Sequence, residues 1–272
     1  MEIKLLSSGY CTSHERISLN NGAYKAIKFA ATYALIKHPT IGFVLFDTGY
    51  TTSFFEVTKK LPDAFYKYIT PVFITEEQHA INKLKQLGIN ANDIKYIIIS
   101  HFHADHIGGL KDFPNAKFIC FKNGYEEAQT LLGWKAVKKG ILKKLIPEDI
   151  ENRTVFIDNC SIIKDDIFGE AFDVFEDKSI LGFRLPGHAR GQLGVLINTA
   201  PHKTFLIADA AWHTKAITQN ILPSKIIRVF IDSWSDYVNT LNKVQQYHKQ
   251  NPNTLIIPCH CPEVFSKFIK EY

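Results

Sequence analysis

The sequence has no apolar run long enough to cross a bilayer. Its longest apolar stretches, such as 96–99 and 255–257, have the length of strands, whereas a membrane-spanning helix needs about 20 apolar residues. The first residues, Met1 to Lys4, show neither a basic segment followed by an apolar one nor a small-residue cleavage site. We therefore expect a cytoplasmic chain without a membrane partner.

Cysteine and excess charge are also scarce. The five cysteines are scattered and odd in number, which is typical of a protein from a reducing compartment. The net charge is only +5, and positive charge is concentrated only in 135–144, which we interpret as the solvated face of a helix. With no dedicated nucleic-acid-binding motif in the chain, a nucleic-acid partner is not expected.

No internal repeat, low-complexity tract or flexible linker divides the 272 residues. The contents of 46% hydrophobic and 22% charged residues are those of a globular protein. We predict a single domain over 1–272, with a helical insertion at about 122–150.

Apolar patterning predicts an α/β protein with strands through the middle of the chain. A capping-box pattern at Thr75 and Gln78 predicts a helix ending near Gly88, and the aromatic stretch 51–74 is predicted to be a structured loop region. Strands are predicted at 24–37, 41–46, 96–99, 117–121, 171–175, 180–185, 193–198, 204–207 and 254–257. Further helices are predicted at about 124–132, 135–145, 234–248 and 263–271. Helices interspersed with strands favour a layered α/β sandwich.

Three histidines and one aspartate are crowded into six positions directly after the strand at 96–99. The segment reads Ser100-His101-Phe102-His103-Ala104-Asp105-His106-Ile107-Gly108-Gly109. Imidazole and carboxylate together suit Zn²⁺, Mn²⁺ or Fe²⁺, whereas Ca²⁺ and Mg²⁺ prefer shells made only of oxygen. The segment therefore predicts a transition-metal site.

This segment resembles the signature of the metallo-β-lactamase superfamily, His-x-His-x-Asp-His followed by Gly-Gly. Further motifs of that family follow in the expected order: Asp47 in Asp-Thr-Gly, His188 in Pro-Gly-His, Asp209 in Ala-Asp-Ala, and finally His260. The resemblance spans nearly the whole chain. It implies a four-layer αββα sandwich and a metal-dependent hydrolase.

The resemblance also implies a site with two divalent metal ions, zinc first, with manganese or iron as alternatives. The implied ligands are His101, His103 and His188 for one ion, Asp105, His106 and His260 for the other, and Asp209 with a water or hydroxide between them. Two such ions activate the water and polarise the bond under attack. Asp105 would also be the catalytic group that orients the nucleophile or passes its proton to the leaving group, and Asp47 would hydrogen-bond a metal-bound histidine.

His260 lies between Cys259 and Cys261, and two cysteines at that spacing are themselves candidate ligands. Alternation along a strand would place both thiols on the face opposite His260. We therefore interpret His260 as the ligand and the thiols as small packed residues.

Chain length, the helical segment before His188 and the Asp209-Ala210-Ala211 context resemble the N-acyl homoserine lactone lactonase branch. In that branch a tyrosine three residues after the bridging aspartate contacts the substrate carbonyl, but this chain has Trp212. Indole has one N–H and no hydroxyl, so Trp212 is interpreted as a hydrophobic wall. His213 is an alternative donor but is expected to be exposed.

An apolar or aromatic pocket is expected near the metals, because ligand sites are usually lined in that way. The candidate pocket residues are Trp212, His213, Phe65, Tyr68 and Trp134. The predicted reaction is hydrolysis of a lactone, ester or thioester bond in a small molecule. A phosphodiesterase or nuclease of the same fold, and a non-catalytic metal-binding regulatory protein, are the alternatives, and a homodimer stays open.

Overall fold

The computed structural model describes residues 1–199 and 201–269, and within them thirteen strands form two sheets. The first sheet has the order β4-β1-β2-β3-β5-β6-β7, and the second has the order β13-β12-β11-β10-β9-β8. The strands are β1 Glu2–His14, β2 Ala26–His38, β3 Gly42–Phe46, β4 Val72–Phe73, β5 Ile94–Ile98, β6 Lys117–Cys120, β7 Thr154–Phe156, β8 Ser161–Asp165, β9 Gly169–Asp173, β10 Ile180–Arg184, β11 Leu193–Ile197, β12 Thr204–Ala208 and β13 Leu255–Pro258.

Helices cover the outer face of each sheet. The α-helices are α1 Glu15–Ser18, α2 Ser53–Val57, α3 Ala64–Ile69, α4 Ala80–Gln86, α5 Ala104–Ile107, α6 Lys122–Thr130, α7 Gly133–Lys138, α8 Ile150–Arg153, α9 Thr214–Thr218, α10 Trp234–Gln250 and α11 Pro262–Val264. Short 3₁₀ turns span Glu76–Gln78, Ala91–Asp93, Leu110–Asp112, Lys143–Leu145, Ile157–Asn159 and Lys225–Val229, and a π-turn spans Phe265–Ile269. Among the described helices, none has both the length and the apolar character that a bilayer span requires.

Side-chain alternation along the strands separates the interior into layers. In β3, Val44 and Phe46 point into a core between the two sheets, while Leu45 points into a core under the helices that precede β7. A third core lies between the second sheet and α9 and α10. The order helix, sheet, sheet, helix confirms the predicted αββα sandwich.

The predicted strands are found within a few residues of their expected ends, but two predictions for other segments are wrong. The stretch 51–74 is not a loop region, because it forms α2, α3 and β4 and buries Phe54 and Tyr66 in the core. The helix predicted at 135–145 ends at Lys138, since Gly140 has a φ of 70°. Of the helix predicted at 263–271, residues 270–271 lie outside the described ranges.

Strand direction brings the predicted site residues to one edge of the sandwich. β3 runs parallel to β5, and β12 runs parallel to β13. Asp47 directly follows β3, Asp209 directly follows β12, and the segments that begin near 100 and 260 follow β5 and β13. The carboxyl ends of these four strands therefore meet where the two sheets face each other.

Candidate metal centre

The seven predicted ligands lie together at this edge in two adjoining groups. Ligand atoms of His101, His103 and His188 lie within 4.8 Å of one another, and so do those of His106, Asp209 and His260.

Two carboxylates contact these histidines: Asp105 reaches only the second group, whereas Asp209 reaches both. Asp105 Oδ2 is 3.1 Å from His260 Nε2 and 3.5 Å from His106 Nε2. Asp209 Oδ2 is 3.2 Å from the Nε2 atoms of both His188 and His260, so Asp209 lies between the two groups.

Several of these polar atoms are buried and have no hydrogen-bond partner. Those on the donor groups are His101 Nε2, His106 Nε2 and Asp209 Oδ1. Leaving a buried polar atom unsatisfied costs about 1–3 kcal/mol, and three such atoms within one cluster of donors indicate a ligand. The nitrogen and oxygen donors fit two divalent transition-metal ions.

The opposite nitrogens of three histidines are held by fixed hydrogen-bond partners. His106 Nδ1 is 2.7 Å from Asp47 Oδ2, His101 Nδ1 is 3.0 Å from Ser100 Oγ, and His260 Nδ1 donates to the Ala30 carbonyl at 2.8 Å. Asp47 also accepts the backbone N–H and the hydroxyl of Ser100, at 2.8 and 2.7 Å. Such partners direct Nε2 towards a metal, and Asp47 therefore lies where a carboxylate can orient His106.

His103 is oriented by the segment that follows α7. The backbone of Lys139 hydrogen-bonds the His103 ring, and a Cβ added at Gly140 would come within 2.7 Å of His103 Nε2. His103 Nδ1 faces the other way, 3.0 Å from His188 Nε2. His103 therefore presents Nδ1 to the site.

Two residues at the site have strained backbones. Asp47 has a φ of 63° and Ala208, next to Asp209, has a φ of 47°, in a region that residues other than glycine rarely occupy. Strain of this kind is concentrated at functional sites, where the surrounding structure enforces it. Here both strained residues lie at strand ends, where Asp47 and Asp209 face the histidines.

In the first group the histidines are held neutral. Burial, together with the neighbouring histidines His106 and His103, places the pKa of His101 well below its usual value. Burial is also the main reason that the pKa of His188 falls to about 3 and that the pKa of His103 is lowered. Neutral imidazole is the form that binds metal.

The second group holds positive charge. Burial lowers the pKa of His106, but the charges of Asp105 and Asp47 outweigh burial and raise this pKa to about 10. Burial also opposes the charge on His260, yet Asp209 raises its pKa well above the usual value. Although burial raises the pKa of Asp105, His106 and His260 lower it to about 2. The carboxylates are thus ionised. Their negative charge is balanced either by the protons on His106 and His260 or by a divalent ion.

The family model of the metallo-beta-lactamase superfamily matches residues 30–247, a span that contains the histidine cluster, His188 and Asp209. The chain belongs to the metallo-β-lactamase superfamily. Membership of this superfamily and the donor set together assign divalent metal ions to the site.

Curated relatives include N-acyl homoserine lactonases. The chain is 27% identical over 279 residues to the N-acyl homoserine lactonase AttM of Rhizobium radiobacter, covering 99% of this chain and 97% of that protein. It is 32% identical over 150 residues to an N-acyl homoserine lactonase of Bacillus sp, covering 55% of this chain and 51% of the relative.

Two solved structures of lactone-cleaving enzymes have the same fold. An N-acyl homoserine lactone hydrolase with N-hexanoyl-L-homoserine at its catalytic metal centre superposes with a TM-score of 0.73, at 19% identity and 99% and 98% coverage of the two chains. AidC, a dizinc quorum-quenching lactonase, superposes with a TM-score of 0.62, at 18% identity and 96% and 90% coverage.

A cavity of about 320 Å³ opens directly over the metal centre. Besides metal-centre residues its lining includes Tyr50, Tyr66, Ile69, Trp212 and Phe230, and also polar residues such as Ser13, Thr70 and Lys138. Its walls are therefore mainly apolar and aromatic with some polar groups, and its floor is polar, as in small-molecule sites.

Trp212 lies in this wall, but the other four candidate pocket residues do not line the cavity. Phe65 packs edge-on against Trp134 with ring centroids 5.8 Å apart, and both are largely exposed, as is Tyr68. These three positions thus form surface outside the cavity, because α3 and α7 turn other side chains inward.

His213 corrects the expectation of an exposed side chain, since it is only 3% exposed. Its Nδ1 accepts the backbone N–H of Lys215 and caps α9. The imidazole is therefore part of a helix cap and does not face the substrate cavity.

The two cysteines beside His260 do not share a face. Cys259 Sγ lies within 4.8 Å of ligand atoms in the second group and donates to the Thr32 carbonyl at 3.2 Å, while Cys261 Sγ accepts the backbone N–H of Thr214. The expectation from strand alternation is wrong because β13 ends at Pro258.

Three residues of the site were not singled out by sequence reasoning. Tyr66 was one aromatic residue among many in 51–74, and Lys139 and Gly140 stood within a run of lysines. For Gly140, a glycine interrupting a helical pattern was the available signal. Nothing local identified Tyr66 or the Lys139 backbone.

Proposed function

We propose that this chain is a binuclear metal-dependent hydrolase that opens a small lactone bearing an apolar substituent. The observation that carries the proposal is the arrangement of two donor groups sharing Asp209 at the floor of an apolar cavity. The substrate class is supported by full-length relatives named as N-acyl homoserine lactonases. Zinc is the proposed metal, since nitrogen-rich donor sets of this kind suit it.

Each ligand has a proposed place. His101, His103 and His188 would hold one ion, Asp105, His106 and His260 would hold the other, and Asp209 would be shared between them. Divalent ions bound there would supply a hydroxide nucleophile at neutral pH and polarisation of the substrate carbonyl. Asp47 keeps His106 in the orientation that presents Nε2 to the site.

Asp105 is the proposed catalytic carboxylate. Its Oδ2 faces both His106 and His260, and its pKa of about 2 keeps it ionised at neutral pH. In that form it accepts the proton of the attacking nucleophile and then delivers it to the alkoxide that leaves when the lactone ring opens. The apolar wall excludes water from the acyl side of the substrate.

The test combines elemental analysis with a substrate panel. The purified protein should bind two metal ions per chain and should hydrolyse lactones faster than matched linear esters, thioesters and phosphodiesters. His103→Ala should lose bound metal and turnover together. His202→Ala, at an exposed position, is the matched control and should change neither.

Other outcomes would replace the proposal. Full metal loading without turnover of any substrate would indicate a metal-binding regulatory protein. Faster cleavage of phosphodiesters than of lactones, with affinity for RNA or DNA that falls steeply with salt, would indicate a nuclease.

A further inference from the structure

A fixed hydrogen-bond donor to the substrate carbonyl would add to any polarisation by metal ions, because it stabilises the charge that grows on the oxygen. Trp212 cannot supply it, because its only N–H donates to Asp209 Oδ2 at 3.0 Å. His213 cannot supply it either, since its ring caps α9 outside the cavity. Any such donor would therefore come from another side chain that lines the cavity.

Two phenols line the cavity beside the metal centre, those of Tyr50 and Tyr66. A phenol has an ordinary pKa of about 10, so both side chains carry their protons at neutral pH and are hydrogen-bond donors.

Only one of these phenols has a hydroxyl available for substrate. The Tyr50 hydroxyl is hydrogen-bonded to the Cys11 thiol, and the Tyr50 side chain is only 1% exposed. Tyr66 is 7% exposed, and within the described ranges its side chain has an edge-on ring contact with Phe54 but no hydrogen bond. The Phe54 contact, at 5.6 Å between centroids, fixes the ring and leaves the hydroxyl free.

We propose that the Tyr66 hydroxyl donates a hydrogen bond to the carbonyl oxygen of the substrate, as the donor that Trp212 lacks. This role rests on the proposed lactone hydrolysis. As the nucleophile adds to the carbonyl carbon, negative charge grows on that oxygen, and a fixed donor stabilises it more than it stabilises the ground state. The phenol keeps its proton throughout, so the step needs no further proton transfer.

The test is Tyr66→Phe, which removes only the hydroxyl. Loss of one such donor lowers kcat by about 10²–10³-fold in acyl-transfer enzymes, and we expect a loss of that order with two metal ions still bound. Tyr68→Phe is the matched control, because Tyr68 belongs to the same helix but is 75% exposed and outside the cavity. It should keep kcat within about twofold of the unmodified enzyme.

A second measurement separates donation to the carbonyl from general damage. Sulfur accepts hydrogen bonds weakly, so a thionolactone gains little from the phenol. The ratio of kcat for the lactone over the thionolactone should fall at least tenfold in Tyr66→Phe and stay unchanged in Tyr68→Phe.

Three results would overturn the role of Tyr66. They are a kcat of Tyr66→Phe within twofold of the unmodified enzyme, an unchanged lactone to thionolactone ratio, and a loss of activity that parallels a loss of metal. In each case the unmodified enzyme would still hydrolyse lactones, so the proposed function would stand. A metal-loaded unmodified protein that hydrolyses no lactone would instead overturn the function, and this role with it.

Discussion

The two halves of the metal centre should bind their ions with different dependence on pH. His101, His103 and His188 have lowered pKa values and are neutral above pH 6.5, so the first ion displaces no proton there. His106, with a pKa of about 10, and His260, with a raised pKa, are protonated at neutral pH. A second ion must displace both of these protons.

The size of the effect follows from proton linkage. A site that releases two protons gains about 100-fold in affinity for each pH unit below the pKa of the released groups. Between pH 6.5 and 8.5 the affinity for the second ion should therefore rise about 10⁴-fold, while that for the first changes little. The affinity must rise with pH, because a histidine with a raised pKa carries a proton that competes with the metal.

Stepwise metal titration against a chelator that buffers the free ion measures both affinities. Calorimetry in buffers of different ionisation enthalpy counts the protons released at each step. Asp47→Asn is the informative variant: Asp47 raises the pKa of His106, so the variant should release fewer than two protons. Equal pH slopes for the two ions, or no proton release with the second, would refute the reasoning.

Three further predictions concern the cavity, the His103 contact and the core. Gly140→Ala should weaken metal binding by at least tenfold in a direct titration, because its Cβ would collide with the His103 ring, whereas Gly133→Ala, also at positive φ but in open space, should not. Phe230→Ala should shift the preference for acyl length in steady-state kinetics, because Phe230 lines the cavity, whereas Phe65→Ala should leave it unchanged. Leu45→Ala, at a fully buried position, should lower the free energy of unfolding by about 2–5 kcal/mol in a denaturant titration, and the exposed Leu132→Ala should not.

The strands and layers of the fold were predictable because buried strands have a recognisable apolar pattern in the local sequence. The run 96–99 is apolar at every position, as expected for a strand covered on both faces. The stretch 51–74 has no such pattern. Its prolines and irregularly spaced aromatic residues do not show the periodicity of its two short helices. These helices depend on packing of Phe54 and Tyr66 into the core, which is tertiary information.

The proposed ligands were predictable for a different reason. Four of them lie within six positions, and the others follow short motifs at strand ends, so their convergence follows from strand order alone. No comparable sequence pattern predicts which residues line the wall of the cavity. Adjacent residues on α3 point in different directions, with Tyr66 facing the metal centre and Phe65 facing solvent, and only packing decides which.

His188 differs from the other histidines in how it is positioned. Its position depends on residues that lie outside the metal centre. Its Nδ1 is buried without a partner, but its backbone is held, because the Asp232 N–H donates to the His188 carbonyl at 3.0 Å. The Asp232 carboxylate also pairs with the Lys139 side chain, and the Lys139 backbone hydrogen-bonds His103. One ion pair therefore joins the two segments that place His103 and His188. Because two ligands of the first proposed ion depend on these segments, a residue that touches no substrate can govern how firmly that ion is held.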